Sequence, residues 1–153
     1  MTNEPSAHWE NVYANKDASQ VSWFEETPAL SLELIAESYD GRGSVIDIGG
    51  GASGLAGVLV EAGYAPVAVL DLSANALAVA KAKLGTKASA VEWIVADVTE
   101  WQPARRFDVW HDRAAFHFLT EPAQQRAYAQ TLRSALSPGG IAIIGTFAPD
   151  GPE

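Results

Sequence analysis

The sequence VIDIGGGASGLAG, from Val45 to Gly57, joins an apolar run to a glycine-rich turn and then to a second apolar pattern. The β-branched run Val45–Ile48 is typical of a buried strand. After the glycines, Leu55, Val58 and Leu59 recur at helical spacing. We therefore predict a strand, a tight turn and a helix, which is an arrangement that binds nucleotide-like ligands in α/β proteins.

Two interpretations of the glycine turn are open. The pattern G-x-G-x-x-G, with Gly49, Gly51 and Gly54, is typical of a dinucleotide site. The pattern D-x-G-x-G, which includes Asp47, indicates S-adenosylmethionine (SAM) instead. A carboxylate at position 47 would repel a pyrophosphate, whereas it would attract the cationic sulfonium and ammonium of SAM. Asp47 therefore favours SAM.

The rest of the chain alternates predicted strands with predicted helices. The further strands are expected at Val67–Leu70, Val91–Val95, Phe107–Trp110 and Ile141–Phe147. Ser73 is a predicted N-cap for a helix over Asn75–Leu84, and a second helix opens near Pro122 and stops at Ser137–Gly140. This alternation predicts an α/β fold with a Rossmann-like, doubly wound, mainly parallel sheet.

The chain ends at APDGPE, directly after the predicted fifth strand. We expect a sheet truncated at that point, as a fragment or a minimal form, with Ile141–Phe147 as an exposed edge. Such an edge predicts association of two copies or a swapped tail. Residues 1–40 are expected to form an N-terminal helical cover, and residues 41–153 the ligand-binding core of one structural domain.

Composition limits the classes of partner. The 153 residues include ten basic and nineteen acidic residues, for a net charge of −9, which disfavours nucleic acid. No apolar run is long enough to span a bilayer, and no secretory signal precedes Trp9, so we expect a cytoplasmic protein without membrane contact. Cysteine is absent, and the three histidines have no metal-ligand spacing, so no metal site is predicted.

Carboxylates occur at or just after the ends of the first four predicted strands: Asp47, Asp71, Asp97 and Asp112. Any one of them alone is typical of a helix cap or a solvated turn. Ligands of doubly wound sheets bind beyond the carboxyl ends of the strands, where these side chains would gather. We therefore expect a ligand to use them.

From Val45 to Phe147 the chain resembles the class I SAM-dependent methyltransferases. The matching segments are VIDIGGGASG, VLDLS, IVADVTEW, FDVWHDRAAFHFL and LSPGGIAIIGTF, in the family's order. The resemblance implies that Asp71 holds the ribose hydroxyls, that Asp97 binds the adenine amine and that Val98 packs against the ring. The residues expected to bind the cofactor are Trp23, Asp47, Gly49, Gly51, Asp71, Leu72, Asp97 and Val98.

The N-terminal segments HWENVYANK and VSWFEETP are similar to those of methyltransferases with an aromatic cover. That likeness makes Trp23, with Phe24, a candidate lid over the cofactor, supported by Trp9 and Tyr13. The same aromatic residues are equally consistent with simple packing against the sheet edge.

The resemblance implies transfer of a methyl group to an acceptor, with a small molecule expected first and a protein lysine second. His111 and Asp112 are the candidates for a general base, should the acceptor need to lose a proton. His117 is a third candidate, although a packed or capping role is favoured for it. A cofactor-binding module without turnover and an NAD-binding oxidoreductase remain as alternatives.

Overall fold

The protein, seen in a computed structural model, is described here for residues 31–37, 43–50, 54–113 and 115–145. The strands are β1 (Val45–Ile48), β2 (Val67–Asp71), β3 (Val91–Val95), β4 (Phe107–Asp112) and β5 (Leu136–Ile144). The helices are α1 (31–37), α2 (Leu55–Glu61), α3 (Ala74–Leu84) and α4 (Pro122–Ala135). Two short 3-10 helices, Gly85–Ala90 and Phe116–Phe118, lie between them.

The five strands form one parallel sheet in the order β3-β2-β1-β4-β5. Alternate residues of β1 enter two different apolar layers, as the period of two of a strand requires. Val45 packs with α1, α2 and α3, whereas Ile46 and Ile48 pack with α4. Helices therefore cover both faces of the described sheet, which confirms the predicted doubly wound α/β fold.

Local capping residues set the helix boundaries that lie near the carboxyl edge of the sheet. The Ser73 side chain accepts a hydrogen bond from the Ala76 N–H at 3.0 Å, so the predicted N-cap is confirmed. Glu121 and Gln124 form a capping box at the start of α4, and Pro122 occupies its first turn as predicted.

The prediction for the fifth strand is wrong in its boundaries. The strand begins at Leu136, directly after α4, and it includes the Ser137–Gly140 segment that was expected to be a turn. Leu136 pairs with Phe107 and Ile141 pairs with Val109, so extra residues bulge between these two pairs. Gly139, at φ +81°, adopts a backbone conformation that other residues rarely take, and this permits the bulge. Phe147 lies outside the described residues.

Two other strands are longer than predicted, and both extensions matter for the site. Asp71 is the last residue of β2 and Asp112 is the last residue of β4, so both carboxylates belong to the sheet itself.

Within the described residues, no helix has the length and apolar character needed to cross a membrane.

Candidate functional site

The strand register brings the glycine turn next to the carboxyl ends of two neighbouring strands. Ile48, the last residue of β1, pairs with Leu70 on one side and with Asp112 on the other. Gly49 follows at φ +70°, and its N–H donates to the Leu70 carbonyl at 2.6 Å. Since the turn needs a left-handed residue at its first position, glycine is the residue type that fits there without strain.

Asp47 lies inside β1, is only 2% exposed and has a histidine partner on the neighbouring strand. It pairs in register with His111 of β4, and the Nδ1–H of His111 donates to Asp47 Oδ1 at 2.8 Å. The other imidazole nitrogen, Nε2, lies 2.9 Å from the Ser31 hydroxyl of α1. Three buried side chains from three elements therefore form one hydrogen-bonded chain.

The protonation of His111 reflects two opposing influences. Burial disfavours the imidazolium, but the adjacent Asp47 carboxylate favours it through charge and through the hydrogen bond. The net effect raises the pKa of His111 above its ordinary value of 6.5.

Gly50 leaves space that the Asp47 carboxylate occupies. A Cβ added at Gly50 would overlap Asp47 Oδ2 and Cγ. The second glycine of the turn is therefore required by the aspartate, since a side chain there would displace the carboxylate from His111.

Asp71 and Asp97 bind backbone groups of the turns that follow their strands. Asp71 Oδ1 accepts from the Ser73 N–H at 2.9 Å. Asp97 Oδ1 accepts from the N–H of Thr99 at 2.9 Å and from its hydroxyl at 2.7 Å. These bonds fix both carboxylates at the same edge of the sheet as the glycine turn. A carboxylate has room for further donors, so each side chain can also accept from a ligand.

The side chains next to these aspartates differ in exposure. Leu72 is partly buried, and Val98 is buried in the apolar layer that contains Ile48 and Leu70. Val98 therefore packs within the protein's own apolar layer, and its contact with an adenine ring stays a prediction.

Asp112 projects to the opposite face of the sheet from Asp47 and is fully buried. Its carboxylate accepts from the N–H groups of Ala115 and Phe116, at 2.6 and 3.0 Å, and from the Tyr128 hydroxyl at 2.5 Å. The Trp110 indole N–H in turn donates to the Tyr128 oxygen at 2.9 Å. Burial raises the pKa of Asp112, although these hydrogen bonds oppose the shift.

Some predicted site residues lie outside the described part of the chain. These are Trp9, Tyr13, Trp23, Phe24 and Gly51. The side chain of His117 also lies outside the description. Their expected roles stay predictions.

Sequence reasoning missed three side chains that organise the site: Ser31, Trp110 and Tyr128. Their partners are 80, 18 and 16 residues away along the chain, so no local spacing identifies them. The sequence offered one signal for the site. Once β1 is paired with β4, His111 lies beside Asp47 and on the same face of the sheet.

Among the described residues, no group of three or more histidines and carboxylates could hold a metal ion.

Comparison with known families matches residues 45–140 to the methyltransferase domain. The chain belongs to this family. The matched range begins at β1 and extends into β5, so it includes the glycine turn and the carboxyl ends of β1, β2, β3 and β4. The resemblance inferred from the sequence motifs is confirmed. A comparison with curated protein sequences gave no significant match.

Several solved structures have a similar fold. DhpI, in a complex with S-adenosylhomocysteine (SAH), is 23% identical with a TM-score of 0.71, over 90% of this chain and 64% of that one. SAM-bound CalS10, an amino pentose methyltransferase from Micromonospora echinaspora involved in calicheamicin biosynthesis, is 21% identical with a TM-score of 0.66, over 92% and 56%. A structure concerning conversion of a disulfide bond into a thioacetal group during echinomycin biosynthesis is 32% identical with a TM-score of 0.62, over 73% and 48%. The chain therefore spans between 48% and 64% of these structures.

We expect Gly50→Ala to destabilise the protein by about 1–3 kcal/mol, because the new methyl group displaces a buried carboxylate from its donor. The matched control is Gly57→Ala in α2, where an added Cβ meets Leu84 at an ordinary 3.5 Å. This control should be neutral or stabilising by up to about 1 kcal/mol. Denaturant unfolding of both variants measures the difference, and equal effects would contradict the proposed packing of Asp47 against Gly50.

We expect Tyr128→Phe to lower the free energy of unfolding by about 1–3 kcal/mol, because both Asp112 and the Trp110 N–H lose a buried partner. Tyr64→Phe is the control, since Tyr64 is also buried but its hydroxyl makes no hydrogen bond within the described residues. Thermal and urea unfolding should show a clearly smaller effect for the control. A Tyr128→Phe variant as stable as the wild type would show that the Trp110–Tyr128–Asp112 chain adds nothing to stability.

Proposed function

We propose that this protein is a SAM-dependent methyltransferase whose acceptor is a small molecule. The observation that carries the proposal is the family match over residues 45–140, which spans a sheet edge holding Asp47, Asp71 and Asp97 beside the glycine turn. The SAM and SAH complexes of the structural neighbours support the choice of cofactor.

The charges at the edge favour SAM over a dinucleotide. Asp47 is adjacent to the glycine turn in the structure and in the sequence, and its carboxylate lies against Gly50. A pyrophosphate placed on that turn would meet this carboxylate, whereas the sulfonium and ammonium of SAM would be attracted to it. The overall charge of −9 agrees with a ligand that carries positive charge.

The chain's own residues would bind and orient the cofactor. In the proposed arrangement, Asp71 accepts hydrogen bonds from the ribose hydroxyls, with Leu72 beside it. Asp97 accepts from the adenine amine, and Val98 packs against the ring. Bound SAM would supply an electrophilic methyl group to a nucleophilic atom of the acceptor, with SAH as the leaving group. Catalysis would then depend mainly on proximity and orientation.

We propose that His111 and Asp112 hold the site in place and that neither exchanges a proton with the acceptor. Both are buried, at 4% and 0% exposure, and both already have protein hydrogen-bond partners. A general base must come within hydrogen-bond reach of the acceptor, which these surroundings oppose.

The acceptor class rests on the neighbours and on the composition. CalS10 is described as an amino pentose methyltransferase and MtfA as a glycopeptide N-methyltransferase, while the echinomycin structure also concerns natural-product biosynthesis. The net charge of −9 disfavours nucleic acid as the acceptor. The proposed enzyme is cytoplasmic and acts on metabolites such as amino sugars and peptide-like compounds.

Titration calorimetry with SAH and with NAD tests the choice of cofactor. We expect SAH to bind and NAD not to bind. Asp71→Asn should raise the Kd for SAH about fivefold to 100-fold, because a charged acceptor is lost while the amide oxygen can still accept from the Ser73 N–H. Glu92→Gln, at an exposed position of β3, is the control and should leave the Kd unchanged. An unaltered Kd for Asp71→Asn would contradict the ribose assignment.

Transfer of a labelled methyl group from SAM to two acceptor panels tests the acceptor class. We expect label to appear in members of a panel of amino sugars and peptide-like metabolites. A panel of proteins rich in accessible lysines should stay unlabelled. Labelled protein lysine with an unlabelled metabolite panel would replace the small-molecule proposal, and SAH binding without label in either panel would indicate a module without turnover.

A further inference from the structure

Ser31, His111 and Asp47 form a hydrogen-bonded chain of buried polar side chains. Its members come from α1, β4 and β1, and their exposures are 4%, 4% and 2%. Both ring nitrogens of His111 are occupied, at 2.8 Å by Asp47 and at 2.9 Å by Ser31. The imidazole is therefore held at both ends, and Asp47 is held with it.

This arrangement offers both ring nitrogens of His111 a hydrogen-bond partner in either protonation state. An ionised Asp47 can only accept, so Nδ1 carries a hydrogen in both states of the ring. With a neutral ring, Nε2 accepts from the Ser31 hydroxyl, and with an imidazolium it donates to the Ser31 oxygen. A serine hydroxyl serves either role by rotation. The charge of the Asp47–His111 pair can thus change from −1 to 0 while the imidazole keeps a hydrogen-bond partner at each nitrogen.

The charged groups around His111 are few in the described part of the chain. Asp47 on β1 and Asp112 on its own strand favour the imidazolium, while Arg113 and burial oppose it. The neighbouring strand β5 places Ile143 in register with His111, and α1 contributes the uncharged Ser31. The pKa of His111 is raised above 6.5. With Asp47 ionised, the Asp47–His111 pair is neutral when the pH is below the raised pKa of His111 and carries one negative charge when the pH is above it.

We propose that His111 is a positioning residue that also sets the charge presented to the cofactor, so that a neutral imidazole favours the cationic sulfonium of SAM over the neutral thioether of SAH. The inference rests on the proposed function. It follows from the position of the Asp47 carboxylate, which lies against Gly50 in the turn proposed to hold the cofactor. In a buried site, a charge difference of one unit acts over several ångströms with little screening.

SAM and SAH are a matched pair of probes for this charge. They differ by one methyl group and one positive charge, so most other contacts cancel in the ratio of their dissociation constants. We expect the ratio of the SAH Kd to the SAM Kd to rise about threefold to tenfold as the pH increases from below 6.5 through the raised pKa of His111, because the pair then becomes negative. Titration calorimetry in matched buffers gives both constants.

His111→Asn is the decisive variant, because its amide nitrogen can replace Nδ1 as the donor to Asp47 but does not titrate. We expect the ratio in this variant to lose the part of the pH dependence that His111 causes. Ionisation of the ligands themselves is common to both proteins and cancels in the comparison. Ser31→Ala should weaken SAM binding about twofold to tenfold while the pH dependence of the ratio remains, since the titrating group is still present.

A second measurement on the wild-type protein keeps the test valid if His111→Asn does not fold. Nuclear magnetic resonance of isotope-labelled histidines reports the His111 pKa directly, and His8→Asn and His117→Asn variants assign the three ring signals. By reciprocal linkage, SAM should lower the His111 pKa more than SAH does. Equal effects of the two ligands, or the same pH dependence in His111→Asn as in the wild type, would overturn the inference. Failure of both ligands to bind would overturn the proposed function instead.

Discussion

The Asp47 carboxylate is buried within a central strand, and burying an ionised group is costly unless it is hydrogen-bonded and paired. His111 meets this need from the neighbouring strand, because the parallel register places it directly beside Asp47. Gly50 meets it from the turn, where the absence of a side chain leaves room for the second oxygen. Ser31 completes the arrangement by holding the far nitrogen of the imidazole. The glycine turn, the sheet register and the position of α1 are therefore linked through one charge.

The other carboxylates at the sheet edge follow the same rule with different donors. Asp71 and Asp97 accept from the backbone of the turns that follow them, and Asp112 accepts from two N–H groups and from Tyr128. From the sequence, four aspartates at one edge indicate repulsion that a ligand must relieve. The structure shows that protein donors already stabilise each one and that Asp112 faces the other layer. The case for a cationic ligand therefore depends on Asp47, whereas Asp71 and Asp97 are proposed to accept from the neutral ribose hydroxyls and adenine amine.

Much of the fold could be predicted from local pattern. The bounds of β1 and β3 agree with the prediction, as do the Ser73 cap and the start of α4 at Pro122. The fifth strand was wrong because a proline and two glycines usually end regular structure, whereas here Gly139 permits a bulge within a strand. In the site, the strand-end aspartates could be found, but Ser31 and Tyr128 could not. Their contacts depend on how helices pack on the sheet, which no sequence spacing records.

Neighbouring residues of β4 connect the two faces of the sheet. His111 holds Asp47 on one face, while Asp112 on the other face anchors the turn that contains Ala115 and Phe116. That turn returns toward the glycine turn, since a Cβ added at Gly49 would come within 3.1 Å of the Ala115 Cβ. Displacement of His111 would therefore affect Gly49 through Asp47 and Gly50. Displacement of Asp112 would affect Gly49 through Ala115. The end of β4 therefore supports Gly49 and Gly50, the described start of the glycine turn, from both faces of the sheet.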